Sequence, residues 1–91
     1  AFGSTALLAN TTGGQNIAVG SGTLQNNTTG AGNIAVGYGG LSNTTTGSNN
    51  VSIGNLSMGA NTVGNTNISI GWGTLANNTS GNNNIALGYL A

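Results

Sequence analysis

The 91-residue chain contains no Asp, Glu, Lys, Arg, His, Cys or Pro. An ordinary globular domain is about 25% charged, so this absence restricts the chemistry of the protein strongly. General acid–base catalysis uses a group that titrates near the working pH, and Tyr38 and Tyr89 carry the only titratable side chains here. The many Ser and Thr hydroxyls have no base beside them that could activate a nucleophile. We therefore expect that the protein is not an enzyme.

The same absences argue against most ligands. Transition metals are bound by Cys, His or carboxylate side chains, so we predict no metal site and no cofactor; a weak oxygen-ligand ion site built from carbonyls and Asn amides is the one alternative left open. Nucleic-acid phosphates are held mainly by Lys and Arg, so we predict no nucleic-acid partner. No apolar run reaches the roughly 20 residues of a membrane span, and the lack of Cys excludes a disulfide framework.

The residues that are present form a repeat with a period of 17. The phrase Asn-Ile-Ala-Val-Gly begins at Asn16 and again at Asn33, and near-copies begin at Asn50, Asn67 and Asn84. We number each repeat from the residue after this Asn, so that positions 4 and 14 are Gly in every copy. The chain then divides into a partial coil 1–16, full coils 17–33, 34–50, 51–67 and 68–84, and a partial coil 85–91.

This constant register predicts a solenoid, because each coil must stack on the previous one and its length is therefore fixed. Positions 1 to 3 alternate large, small and large side chains, which is typical of a short strand, and the Gly at position 4 ends it. A second strand is predicted near positions 9 to 13, for example at 25–29. The sequence thus predicts one all-β domain over 1–91, a flattened parallel β-solenoid with 17 residues and two short strands per coil.

Three sets of residues follow from this frame. Positions 1, 3 and 8 are predicted to form core ladders: Ile17, Val19, Leu24, Ile34, Val36, Leu41, Val51, Ile53, Met58, Ile68, Ile70, Leu75, Ile85 and Leu87. Corner residues are predicted at the position-4 glycines that end the strands, at the position-14 glycines, where φ can be positive, and at the asparagines, which tolerate the left-handed region: Gly20, Gly37, Gly54, Gly71, Gly30, Gly47, Gly64, Gly81, Asn16, Asn33, Asn50, Asn67 and Asn84. The small residues at position 2 are predicted to form a lateral interface: Ala18, Ala35, Ser52, Ser69 and Ala86.

Identical chains are the expected partners. Each coil offers few large apolar side chains to bury, so a thin core favours covering a second face with another chain. We expect a homotrimer or another lateral assembly. We also expect the chain to be a window of a longer fibre or a subunit that stacks end to end, because exposed strand edges invite pairing.

The repeated phrases resemble the head repeats of trimeric autotransporter adhesins, and the unit 34–50 is similar to repeats of phage tail fibres. The resemblance covers the whole chain. It implies a left-handed parallel β-roll that trimerises around a fibre axis and binds a surface. It also implies an extracellular, cell-surface or virion location. Neither family has catalytic residues that could be transferred to this chain.

Position 5 carries an aromatic column, Tyr38, Trp72 and Tyr89. It is predicted either to bind a host-surface carbohydrate or protein, or to pack against a neighbouring chain. Position 12 carries a Thr column that raises the possibility of ice binding, although only Thr44 and Thr46 have the i, i+2 spacing of one face. Among the N-x-Ser/Thr triplets, Asn43 and Asn78 are the better candidates for glycosylation.

The leading interpretation is a structural and attachment segment of an extracellular or virion fibre. One alternative is a self-assembling, uncharged β-solenoid or amyloid-like filament, which the Asn content and the lack of charge favour. The other alternative is an ice-binding protein.

Overall fold

A computed structural model describes all 91 residues and contains five β-strands and no helix. The strands are β1 (Ile17–Val19), β2 (Ile34–Val36), β3 (Val51–Ile53), β4 (Ile68–Ile70) and β5 (Ile85–Leu87). They form one parallel sheet in chain order, and each residue pairs with the residue 17 positions further on. The predicted all-β solenoid with 17-residue coils is therefore confirmed. Because the structure has no helix, it has none that could cross a membrane.

Each coil contains one strand, so the prediction of a second strand at positions 9 to 13 was wrong. The backbone there still bonds from coil to coil, but without the alternating pattern of a ladder. The N–H groups of Thr28, Thr29 and Gly30 all donate to the carbonyl of Thr45, at 2.9, 3.3 and 3.4 Å. Of 53 backbone–backbone hydrogen bonds, only 8 lie within strands, so turns and irregular segments supply most of the bonding between coils.

The strands face the opposite way from the prediction. Position 2 points into the coil, where Ala18, Ala35, Ser52 and Ser69 are buried and Ala86 is half-buried. The predicted lateral interface at these residues was therefore wrong. Positions 1 and 3 point outward, so ten predicted core residues are exposed or half-buried instead: Ile17, Val19, Ile34, Val36, Val51, Ile53, Ile68, Ile70, Ile85 and Leu87.

A physical reason for this inversion lies in the width of the coil. The small side chains of position 2 lie against position 7, which is occupied by Thr, Ser, Gly or Ala, and little space remains between them. A Cβ atom added at Gly40, for example, would lie 2.9 Å from the Oγ of Ser52. An interior this narrow admits Ala or Ser but not Ile or Val. Alternation fixes which side chains share a face, but not which face is inside.

The apolar core is a single ladder at position 8. Leu24, Leu41 and Met58 are fully buried, as predicted, and Leu75 packs against them while half-buried. These residues adopt a left-handed backbone, with φ between 47 and 52°. That conformation costs about 1–2 kcal/mol for a residue with a side chain, whereas burying a Leu contributes about 1.5–3 kcal/mol. Packing therefore offsets the strain.

Most of the remaining interior is polar. The buried residues include eleven polar ones but only five hydrophobic ones. Asn33, Asn50 and Asn67, at position 17, are fully buried rather than left-handed corner residues. Asn50 accepts the backbone N–H of Asn67 at 3.0 Å and donates to the carbonyl of Gly64 at 2.8 Å. Because neighbouring coils repeat these bonds, the buried amides bond along the solenoid instead of remaining unpaired.

The glycines at positions 4 and 14 are required for different structural reasons. At position 4, φ lies between 107 and 132°, a region that only Gly adopts readily, and this explains the glycine at Gly20, Gly37, Gly54 and Gly71. At position 14, φ is not positive, so the prediction of positive φ was wrong for Gly30, Gly47, Gly64 and Gly81. Here a Cβ atom would collide with the neighbouring coil, for example at 2.5 Å from the carbonyl oxygen of Gly64 when added at Gly47.

Candidate functional site

The largest candidate surface is the outer face of the sheet, which we call the sheet face. It consists of the side chains at positions 1 and 3 of the five strands: Ile17, Val19, Ile34, Val36, Val51, Ile53, Ile68, Ile70, Ile85 and Leu87. Exposed fractions run from 36% for Ile68 to 71% for Ile85, while Ile34 and Val51 are half-buried. The apolar side chains of the sheet face are thus partly covered by their neighbours in the sheet, while their outer ends are exposed to solvent.

The sheet face is regular in register and uncharged. Neighbouring strands of a sheet lie roughly 4.8 Å apart, and residues i and i+2 of a strand lie roughly 7 Å apart. All but one of its ten side chains are β-branched, and such side chains have few rotamers to lose on binding. A contiguous apolar patch of this kind marks an interaction surface rather than ordinary protein surface.

Natural proteins protect exposed sheet edges with Lys, Pro or inward-facing charges, and soluble monomers rarely expose large contiguous apolar patches. This chain has no charged residue and no Pro. The sheet face can therefore make apolar contacts along its whole length, and no charge within the chain opposes a second apolar surface that approaches it.

The aromatic column lies beside the sheet face, after the Gly that ends each strand. Tyr38, Trp72 and Tyr89 are exposed by 59%, 45% and 73%. The rings of Trp72 and Tyr89 stack with centroids 5.2 Å apart and an interplanar angle of 17°. Tyr38 is separated from this pair by Asn55, whose Oδ1 accepts the backbone N–H of Tyr38 at 3.0 Å. The structure thus brings two of the three predicted rings together and leaves the third as a separate exposed ring.

Four of the five Thr hydroxyls at position 12 donate hydrogen bonds within the solenoid. Thr11 and Thr28 each donate to the carbonyl of the residue 17 positions later, at 3.0 and 3.1 Å. Thr44 and Thr46, at the flanking positions 11 and 13, are the pair with i, i+2 spacing. Thr44 is buried whereas Thr46 is exposed, so this pair does not present two hydroxyls on one outer face.

The two candidate glycosylation sites differ. Asn43 is exposed. The side-chain amide of Asn78, by contrast, donates to Oδ1 of Asn61 at 2.9 Å and to the carbonyl of Gly81 at 3.3 Å. The structure therefore leaves Asn43 accessible and engages Asn78 in the interior.

Sequence reasoning missed that the sheet face is outside and that Asn fills the interior. A signal for the second point was present, because Asn recurs at position 17 in every copy and at position 11 in four of five copies. An invariant amide can bond to its equivalent in the next coil, whereas a surface Asn is free to vary. Comparisons with family models, with curated proteins and with solved structures found no match to this chain.

Proposed function

We propose that the protein is a structural segment of an extracellular or virion fibre, in which three identical chains associate through the sheet face and the assembly serves attachment. The observation that carries this proposal is the sheet face itself. Its apolar side chains run along all five strands, are exposed by up to 71% in the single chain, and have no charged neighbour. Covering this surface removes apolar area from water, which favours association.

A second copy of the chain is the occupant that fits best. The sheet face repeats at the spacing between strands, so a partner that contacts it along its whole length needs the same spacing. Another copy of the chain has that spacing because it has the same fold. Rotation about one axis lets each of three chains contact two neighbours and closes the assembly, as in other cyclic oligomers.

The mass of the assembly in solution tests this proposal. Light scattering should give about 26 kDa, three times the 8.7 kDa of one chain. A chain that carries both Val36→Thr and Ile53→Thr should have a lower mass at the same concentration, because Thr keeps the β-branched shape but adds a hydroxyl to the apolar contact. A wild-type chain that remains a monomer at high concentration would contradict the proposal.

A self-assembling filament is the second candidate function. It is favoured by the bonding between equivalent residues 17 positions apart, such as the Asn ladder at position 17, because any coil could then pair with a coil of another chain. The same scattering experiment separates the two candidates. A filament grows in mass as its concentration rises, whereas a closed trimer keeps one mass.

A further inference from the structure

A shallow cavity of about 260 Å³ is lined by residues of four consecutive coils on the side of the solenoid next to the aromatic column. Its floor is formed by Gly22 and Gly39, and we call it the glycine trough. Tyr38 and Leu56 supply its apolar wall, and polar side chains line the rest. The volume lies just below the roughly 300–1,000 Å³ of clefts that hold drug-sized ligands, which suits a ligand of one ring.

The backbone does not require glycine in this floor. The same repeat position is occupied by Thr5 before Gly22 and by Leu56 after Gly39. All four residues have a left-handed backbone, with φ of 59, 72, 66 and 56° in chain order. Since Thr and Leu adopt this conformation in the same column, the two consecutive glycines are not needed for the turn. At Gly22 the missing side chain leaves open space, because an added Cβ atom would have no neighbour closer than 3.6 Å. Gly39 is buried beneath Leu56, whose Cδ2 would lie 3.0 Å from an added Cβ atom.

The polar side chains of the trough have hydrogen-bonding capacity that the protein does not use. Oε1 of Gln25 accepts the hydroxyl of Thr5 at 3.1 Å, which fixes the amide and leaves its N–H₂ group free to donate. The hydroxyls of Ser21 and Ser42 have no partner within the chain, although both residues line the trough. Tyr38 adds a ring that is 59% exposed.

We propose that the glycine trough binds one ring of a neutral saccharide. A pyranose has an apolar C–H face that packs on an aromatic ring, and equatorial hydroxyls that exchange hydrogen bonds with Ser and Gln side chains. The absence of charge from the whole chain disfavours phosphate, sialic acid or a charged peptide at this site, because nothing would compensate their charge. This inference rests on the proposed attachment function and names the ligand class for it.

Titration of the full chain with neutral monosaccharides tests the site. The probes are glucose, galactose, mannose and N-acetylglucosamine, and the readout is the amide NMR shift of Gly22 and Gly39. At least one sugar should shift both amides in a saturable way. Tyr38→Ser should weaken binding about tenfold, at the upper end of what an aromatic contact contributes, and Ser21 shows that this column accepts Ser.

Two further variants keep the test decisive. Gly22→Leu should abolish binding without removing any polar group, since a Cβ atom there has no neighbour closer than 3.6 Å and the longer side chain would fill the trough. Tyr89→Ser removes a ring from the same column outside the trough and should leave binding unchanged. The proposal is overturned if no sugar shifts these amides, if Gly22→Leu binds normally, or if Tyr89→Ser weakens binding as much as Tyr38→Ser.

The outcome is separable from the oligomeric state. A monomer that binds the sugar contradicts the proposed trimer but supports the trough as a binding site. A trimer that binds none of the sugars contradicts the trough alone.

Discussion

Asparagine side chains stabilise the interior that hydrophobic residues fill in most proteins. At position 11, Asn27 donates to Oδ1 of Asn10 at 2.9 Å and to the carbonyl of Gly30 at 3.0 Å. The next residue in this column is Thr44, whose hydroxyl donates to the carbonyl of Asn61 at 3.0 Å. Oδ1 of Asn27 is consequently the one buried side-chain polar atom without a partner.

Thr44→Asn should repair this ladder. The new amide can donate to Oδ1 of Asn27 and accept from Asn61, as the other asparagines of the column do. We expect the free energy of unfolding to rise by about 1–2 kcal/mol, the usual penalty for an unsatisfied buried acceptor, as measured by urea denaturation. Thr46→Asn, an exposed control in the same coil, should change it by less than about 0.5 kcal/mol. A lower stability for the first variant would refute this account of the column.

Glycine at position 14 is explained by contact rather than by conformation, and this can be tested directly. Gly47→Ala places a Cβ atom 2.5 Å from the carbonyl oxygen of Gly64, so it should lower the free energy of unfolding by about 2–3 kcal/mol. The control is Gly14→Ala, which lies at repeat position 15, and there the added Cβ atom has no neighbour within 4 Å. That control should be neutral or stabilising by up to about 1 kcal/mol. Equal effects in thermal denaturation would contradict the steric explanation.

The single strand of each coil is where sequence and structure differ most. The period of 17 and the short strand at positions 1 to 3 were predictable, because stacking requires equal coil lengths and alternation identifies a strand. The direction of the strand was not, because hydrophobicity alone suggested that Ile and Val are inside. The interior is too narrow for Ile or Val. Its width depends on the residues at position 7, which lie across the coil from the strand but are not adjacent to it in sequence.

The candidate site, like the strands, could be predicted only in part from the sequence. The aromatic column was visible in the spacing of Tyr38, Trp72 and Tyr89, but its division into a stacked pair and a separate ring depends on side-chain geometry. The sheet face could not be recognised as a surface until the strand direction was known. The glycine trough depends on the left-handed backbone of Leu56, which a sequence pattern does not predict for Leu.

The direction of the strand makes a prediction about Ala35, which is fully buried. Ala35→Val adds volume to a narrow interior and should lower the free energy of unfolding by about 1–3 kcal/mol. Ala31→Val is the matched control, because Ala31 is only partly buried and its column also holds Ser48 and Asn65. Its effect should stay below about 0.5 kcal/mol. If chemical denaturation finds Ala35→Val to be stabilising, position 2 does not face the interior.

The complete solenoid is unevenly covered. Asn, Ser and Thr side chains form hydrogen-bonded ladders inside the coils, interrupted at Oδ1 of Asn27, while the sheet face leaves Ile and Val side chains in contact with water. In the proposed assembly these side chains become the shared core of three chains, so that the polar ladders define each coil and the apolar face joins the chains.

Cross-linking through a cysteine on the sheet face tests this central claim most directly, because the natural chain has no Cys. Val36→Cys, treated with a short bismaleimide, should give covalent dimers in high yield at concentrations where the chain is assembled. Asn43→Cys, exposed elsewhere on the coil, should remain almost entirely uncross-linked. Equal yields for the two variants, or no dimers from Val36→Cys, would contradict burial of the sheet face between identical chains.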